Sequence, residues 1–402
     1  MSIGISSALE LEPESYAELL NLDEPLAASS SRPDYGLHAC DGCLRRSWLL
    51  TALAGYLDAR RHDLQRLTRL LTLSDGDLVR ALGAHKRQDL REQYESFERS
   101  RVRLGLCAAA ICRHDPNYPY MLNQAQALGT PAVLYIDGDV ERFKTMFTEP
   151  AVAIVGIRKA TDYGIEIARS MARDLTAAGV PVISGLAEGI AAAAHLGAID
   201  AGGPTLTVMP GGVDICYPAN KRALFASMKG SGCAVSELPC GFRMRRWCYA
   251  GRSRIVTGLA RVVVVVEADK SPVDLMVANL ARMLGKTVAA VPGRVTSSSS
   301  RGTHSLLTQG ARLVEGAQDI LDLLYGVGAR HVPPPGPDLE PALQSIIEKV
   351  GSGHDTVNKL AATGLDPQDA LMALTELELM GKITRGDGGR YVPCAGLGVA
   401  PS

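Results

Sequence analysis

Ala151-Val152-Ala153-Ile154-Val155-Gly156-Ile157-Arg158-Lys159 decides the fold class: a short unbroken apolar run stops at a glycine and two cations. Apolar runs of this length without polar alternation suit strands covered on both faces, the condition of a parallel sheet. Working outward, the pattern repeats. An amphipathic helix is predicted over 163–178, ended by Gly179, then a strand over 180–184 and a helix over 189–201. A strand over 205–209, a helix over 221–228 and a strand over 233–236 follow, and then a basic loop carrying cysteine and aromatic residues. Beyond it come five consecutive valines, 262–266, a helix over 273–284 and a strand over 287–291. This alternation over 151–325 predicts a doubly wound, mostly parallel, Rossmann-like α/β sheet.

The flanks differ. Residues 1–36 mix acidic residues, Ser and Pro and read as a loose arm. Leucines at helical spacing predict a helical N-terminal module over 37–105, and the sheet domain is expected over 106–328. His331-Val332-Pro333-Pro334-Pro335-Gly336-Pro337 makes 329–339 a stiff linker. Three helical stretches and a Gly-tipped hairpin over 340–393 predict a winged helix, and 394–402 form a tail.

At 402 residues, 46% hydrophobic and 21% charged, with no apolar run long enough for a membrane span, the chain reads as a globular protein with no membrane partner. The acidic N-terminus lacks the basic region of a signal peptide, so a cytoplasmic location is expected, with the nine cysteines mostly free thiols. The net charge of −1 hides a basic middle: residues 151–330 carry 20 Lys and Arg against 13 Asp and Glu, between acidic flanks. An anionic ligand held by one domain fits that distribution.

No G-x-G-x-x-G follows the first strand, which disfavours a nicotinamide cofactor, and no cofactor is expected. Instead three strands end in small-residue turns: Gly156-Ile157-Arg158-Lys159, Ser184-Gly185-Leu186-Ala187-Glu188-Gly189, and Pro210-Gly211-Gly212 with Lys221 after it. Exposed amides and cations at the carboxyl edge of an open α/β sheet suit phosphates, and three such turns in a row suit a polyanion. Arg243, Arg245, Arg246, Trp247, Tyr249, Arg252 and Arg254 interleave cations with aromatics, as single-strand binding would use them. His195 on an alanine-rich helix reads as a core residue, and Asp214, Glu237 and Glu267 as structural hydrogen-bond acceptors. Cys40-x-x-Cys43, with His38 beside it, has no second C-x-x-C, so no metal is expected.

These residues carry a resemblance. Asp115-Pro116-Asn117-Tyr118-Pro119, Val155-Gly156-Ile157-Arg158-Lys159-Ala160, Ser184-Gly185-Leu186-Ala187, Gly212-Val213-Asp214, Tyr217-Pro218, Arg252-Ser253-Arg254-Ile255 and Val266-Glu267-Ala268 occur in the order found in the DprA/Smf family of DNA-processing proteins, which the chain resembles from about 112 to 325 and again in its C-terminal module. The resemblance implies a non-enzymatic protein that binds single-stranded DNA, forms a homodimer and helps load the RecA recombinase during natural transformation. It implies Arg158 as the leading phosphate contact, with Lys221, Arg252 and Arg254 beside it. With the turn residues Lys159, Ser184, Gly185, Gly189, Gly211 and Gly212 these make up the expected DNA-binding set. Where the family usually carries Arg-Gly-Ile-Asp, this chain has Glu188-Gly189-Ile190-Ala191, and a carboxylate facing the groove would oppose DNA. Two alternatives stand beside this reading. One is a phosphoribohydrolase-like nucleotide enzyme, whose motif Pro210-Gly211-Gly212 begins but does not complete, and the other is a protein-binding adaptor that has lost DNA affinity.

Overall fold

The valine run, strand β7 at Val262–Val265, is an interior strand of a nine-stranded sheet, all four side chains buried. Burying a valine is worth about 1.5–3 kcal/mol, so this strand is stable only where both faces are covered. The computed structural model describes residues 39–61, 63–82, 87–98, 109–333, 340–380, 382–386 and 389–393. The expected arm at 1–36, His38, the 394–402 tail and linker residues 334–339 lie outside them.

In chain order the other strands of the sheet are β1 (Ala109–Cys112), β2 (Val133–Gly138), β3 (Val152–Val155), β4 (Val182–Gly185), β5 (Thr205–Val208), β6 (Cys233–Ser236), β8 (Thr287–Ala290) and β9 (Arg312–Leu313). Their order across the sheet is β1-β2-β6-β5-β4-β3-β7-β8-β9. From β6 to β9 every pairing is parallel, whereas β2 runs antiparallel to both β6 and β1. The chain winds from β3 out to β6, then returns to lay β7 on the other side of β3. The boundary between β3 and β7 is therefore the topological switch point, where open α/β sheets bind ligands at the carboxyl ends of the strands.

The return from β6 to β7 is not the loop that the sequence suggests. Its second half is a helix, Cys248–Leu259, almost wholly buried. The side chain of Asp58 accepts the Trp247 N–H at its start (2.9 Å). At its end Lys286 donates to the carbonyls of Thr257, Gly258 and Ala260 at 2.7–2.8 Å, a cation on the negative end of the helix dipole. Arg254, 3% exposed, sits inside, pairing with the Glu237 carboxylate and donating to the Gly129 carbonyl.

Helices Asp41–Ala52, Leu64–Thr72 and Asp75–Leu82 form one apolar core with β1, β2 and the loops after β5 and β6. Ser47 donates to the Glu237 carbonyl (3.1 Å), and the Tyr135 hydroxyl donates to Ser47 (3.0 Å). The C-terminal residues have a separate core, built by helices Pro341–Gly351, Val357–Ala361 and Pro367–Leu379 and the hairpin of Ile383–Arg385 with Tyr391–Pro393, a winged helix. Among the described residues no helix is long and apolar enough to cross a membrane.

His195 is fully buried on the helix Ile190–Asp200, its Nδ1 2.7 Å from Thr205 Oγ1, and burial holds its pKa down at about 3. Because the folded value lies below the ordinary 6.5, the unfolded chain takes up this proton first. The stability that neutral His195 contributes is complete above pH 6.5 and is lost as the pH falls toward 3. We expect urea midpoints of a His195→Gln variant to fall less steeply between pH 7 and 4 than those of the parent. Parallel slopes would mean that His195 titrates normally in the fold. Arg254→Ala strands the Glu237 carboxylate in the core and should cost about 3–5 kcal/mol by urea denaturation, much of it recovered when Glu237→Leu accompanies Arg254→Met. A loss under about 1 kcal/mol would show the pair to be solvated.

Candidate nucleic-acid interface

At the carboxyl ends of β3 and β4, two guanidinium groups face one phenol ring. Arg158, exposed in the turn after β3, places its Cζ 4.9 Å from the centre of the Tyr249 ring, and Arg252 places its own at 5.3 Å. Neither forms an ion pair with a carboxylate among the described residues. Arg252 donates weakly to the Leu186 carbonyl (3.5 Å), while its Nε is buried without a partner. Burial, reinforced by the positive charge of Arg158, pushes Arg252 down to about 10, so Arg252 is still charged at neutral pH. Like charges converging on one ring gain only ~0.5–1 kcal/mol each from the cation–π contact, which leaves their repulsion to be relieved by an anion. Burial, with a hydrogen bond to Tyr217, raises the Tyr249 phenol above its ordinary range, which keeps it neutral.

The glycines of the turns serve these arginines. A Cβ on Gly185 would stand 2.5 Å from Arg252 Cζ, so only glycine lets the guanidinium lie across the end of β4. Gly189 has φ +68°, and a Cβ there would stand 2.4 Å from the Arg158 carbonyl oxygen. The two turns interlock, with Ile190 N–H donating to the Ile157 carbonyl (3.3 Å). Tyr217 reaches Tyr249 from the segment after β5, which also carries Lys221 and Asn220. Asn220 Nδ2 donates to the exposed Glu188 carboxylate (2.6 Å), tying that segment to the β4 turn. Arg158, Tyr249, Arg252, Tyr217 and Glu188 thus share one rim, and Lys159, Lys221, Arg243 and Arg246 are at least partly exposed.

Other expected site residues lie elsewhere. Arg254 is in the core, because residues two apart on a helix point about 200° apart and Arg252 already occupies the outward face. Ser184, 1% exposed, donates to the Ile154 carbonyl (2.7 Å), fastening β4 to β3. Gly211 and Gly212 are buried beneath residues 239–244, and the Gly212 N–H donates to the Phe242 carbonyl (2.9 Å). Trp247 is 1% exposed, so its indole is no stacking surface.

Nor are the turn amides all bare. Ile157 N–H donates to the Glu267 carbonyl (3.0 Å), and the Glu267 carboxylate accepts from Thr161 N–H (2.9 Å) and hydroxyl (2.6 Å). Glu237, Glu267 and Asp214, which takes the Gly241 N–H at 2.9 Å, all have the structural roles expected of them. Sequence reasoning missed Asn220 and the function of Tyr217. It also missed the helix that separates Arg252 from Arg254, although Ile255, Val256 and Leu259 show its apolar spacing.

A family model described as DNA recombination-mediator protein A matches residues 109–325, and one for the DprA winged helix domain matches residues 330–389. A putative DNA processing protein DprA of Mycobacterium tuberculosis is 41% identical over 257 residues, which cover 62% of this chain and 66% of that protein. The match to the DNA processing protein DprA of Streptococcus pneumoniae is 32% over 207 residues, 52% of this chain and 71% of the other. The X-ray structure of DprA from Streptococcus pneumoniae superposes with a TM-score of 0.56 at 25% identity, covering 70% of this chain and 98% of that one. With more than half its length matched by the family model, the chain belongs to the DprA/Smf family of DNA-processing proteins.

Proposed function

We propose that the chain binds single-stranded DNA without cleaving it, laying the phosphodiester backbone along the carboxyl rim past Arg158 and Arg252. The observation that carries this is the arginine pair on Tyr249, which no carboxylate among the described residues neutralises. A phosphate bridging two guanidiniums relieves their repulsion and forms charge-assisted hydrogen bonds. Lys159 and Lys221, at least partly exposed on the segments that carry Arg158 and Tyr217, suit a chain of phosphates better than a single one. The family relationship supports DNA as the polyanion, and by the same resemblance we extend the reading to a homodimer that hands its strand to RecA. The helix Pro367–Leu379 of the winged helix carries Asp369, Glu376 and Glu378 and no Lys or Arg, which disfavours it as a phosphate contact. The enzyme alternative gains no residue, since its Pro210-Gly211-Gly212 turn is sealed by the loop above it.

Titration of a fluorescent oligothymidine at several salt concentrations tests the proposal. Arg158→Ala and Arg252→Ala should each weaken binding about ten-fold or more and lower the salt slope by about 0.7, the value of one phosphate contact on a single strand. Unchanged affinity and slope in both variants would refute the site. Gly185→Ala, which removes no charge, should weaken binding by displacing Arg252 while the thermal midpoint stays close to the parent's; binding equal to the parent's would mean that Arg252 needs no such seat. Glu188→Gln should tighten binding several-fold at low salt and little at high salt, and a neutral or weakening effect would put Glu188 off the strand's path.

A further inference from the structure

We propose that Cys40, Cys43, Cys112 and His114 form a structural zinc site that clips the N-terminal helices to the edge of the sheet. Cys40 caps the helix Asp41–Ala52 and Cys43 lies in its first turn, while Cys112 ends β1 and His114 follows in the next turn. Folding brings together residues 71 and 74 positions apart, completing the C-x-x-C that is short of two ligands in the sequence. His114 Nδ1 stands 3.5, 3.4 and 4.0 Å from the sulfurs of Cys40, Cys43 and Cys112, and all four donor atoms lie within 4.8 Å of one another.

A tetrahedral zinc with bonds of about 2.3 Å to sulfur and 2.0–2.1 Å to nitrogen requires S···N separations of about 3.5 Å and S···S separations of about 3.8 Å. Two of the three S···N distances already meet that requirement, and the third needs a shift of about half an ångström. Hydrogen bonding does not explain the gathering. An imidazole Nδ1 has one lone pair or one proton, enough for one sulfur and not for three. A disulfide between Cys40 and Cys43 would leave Cys112 and His114 beside it with nothing to hold.

Three soft thiolates and an imidazole are a donor set that selects zinc, and four protein ligands leave no open position, so the role is structural. Cys43 and Cys112 are buried while Cys40 and His114 are exposed, which gives an ion a path to the site. The clip fastens the helical module whose Asp58 holds the start of the Arg252 helix. The inference is independent of what that arginine binds.

The test is the metal content of the full chain, purified without chelators and measured by mass spectrometry beside a free-thiol count. About one zinc per chain is expected, released when a mercurial titrates the thiols. Cobalt exchanged for it should give the intense visible bands of tetrahedral geometry and sulfur-to-cobalt charge transfer in the near ultraviolet. His114→Ala, at an exposed position, should keep the fold by circular dichroism and lose the metal to a competing chelator that leaves the parent loaded. His114→Cys should retain the metal with a shifted cobalt spectrum. A folded parent that contains no zinc and takes up neither ion when supplied would overturn the proposal. So would a stable Cys40–Cys43 disulfide in the metal-free protein, or a His114→Ala variant that binds zinc as the parent does.

Discussion

Everything at the rim depends on a buried ion pair behind it. Arg254 and Glu237 meet in the core beneath the carboxyl edge of the sheet, and the Gly129 carbonyl takes the second nitrogen of the guanidinium. Such a pair gains little net stability, but it sets geometry, because either partner alone would be an uncompensated buried charge. It fixes the rotation of the helix Cys248–Leu259 about its axis, while Asp58 at one end and Lys286 at the other fix its position. Once Arg254 points inward, helical geometry sends Arg252 outward over Gly185, toward the ring that Arg158 also approaches.

The fold was legible because its signals are local. Unbroken apolar runs, glycine-ended helices and the valine strand are properties of consecutive residues, and each strand between 151 and 291 lies within two residues of its expected bounds. The antiparallel β1–β2 edge was not legible as such, since a four-residue strand of Ala, Ala, Ile and Cys differs little from neighbouring apolar sequence. The site was legible in part. That glycines and cations cluster at strand ends can be read from spacing. Whether a given amide is bare, or a given arginine faces out, depends on partners far along the chain. Glu267 occupies the amides of the β3 turn from 106 residues away, and Arg254 is drawn inward by Glu237 and Gly129. The rim therefore acts mainly through side chains.

The same limit governs the cysteine cluster. Ligands on one short motif announce themselves in sequence, but a site assembled from a helix start and a distant strand end does not, because only the packing of the helices on β1 brings the halves together. The cysteine–histidine cluster and the Asp58 hydrogen bond are two of the distant contacts that join that helical module to the sheet domain. One braces the edge strand and the other the arginine helix, so the module is a buttress for the rim rather than an appendage.

The central claim is that one continuous rim, and no other surface, receives the strand. Backbone hydrogen exchange measured by mass spectrometry with and without a saturating oligothymidine addresses it without altering any residue. The account predicts slowed exchange in peptides covering 156–161, 186–190, 217–222 and 243–252, with the winged helix unaffected. Protection confined to 340–393, or to the N-terminal helices, would contradict it.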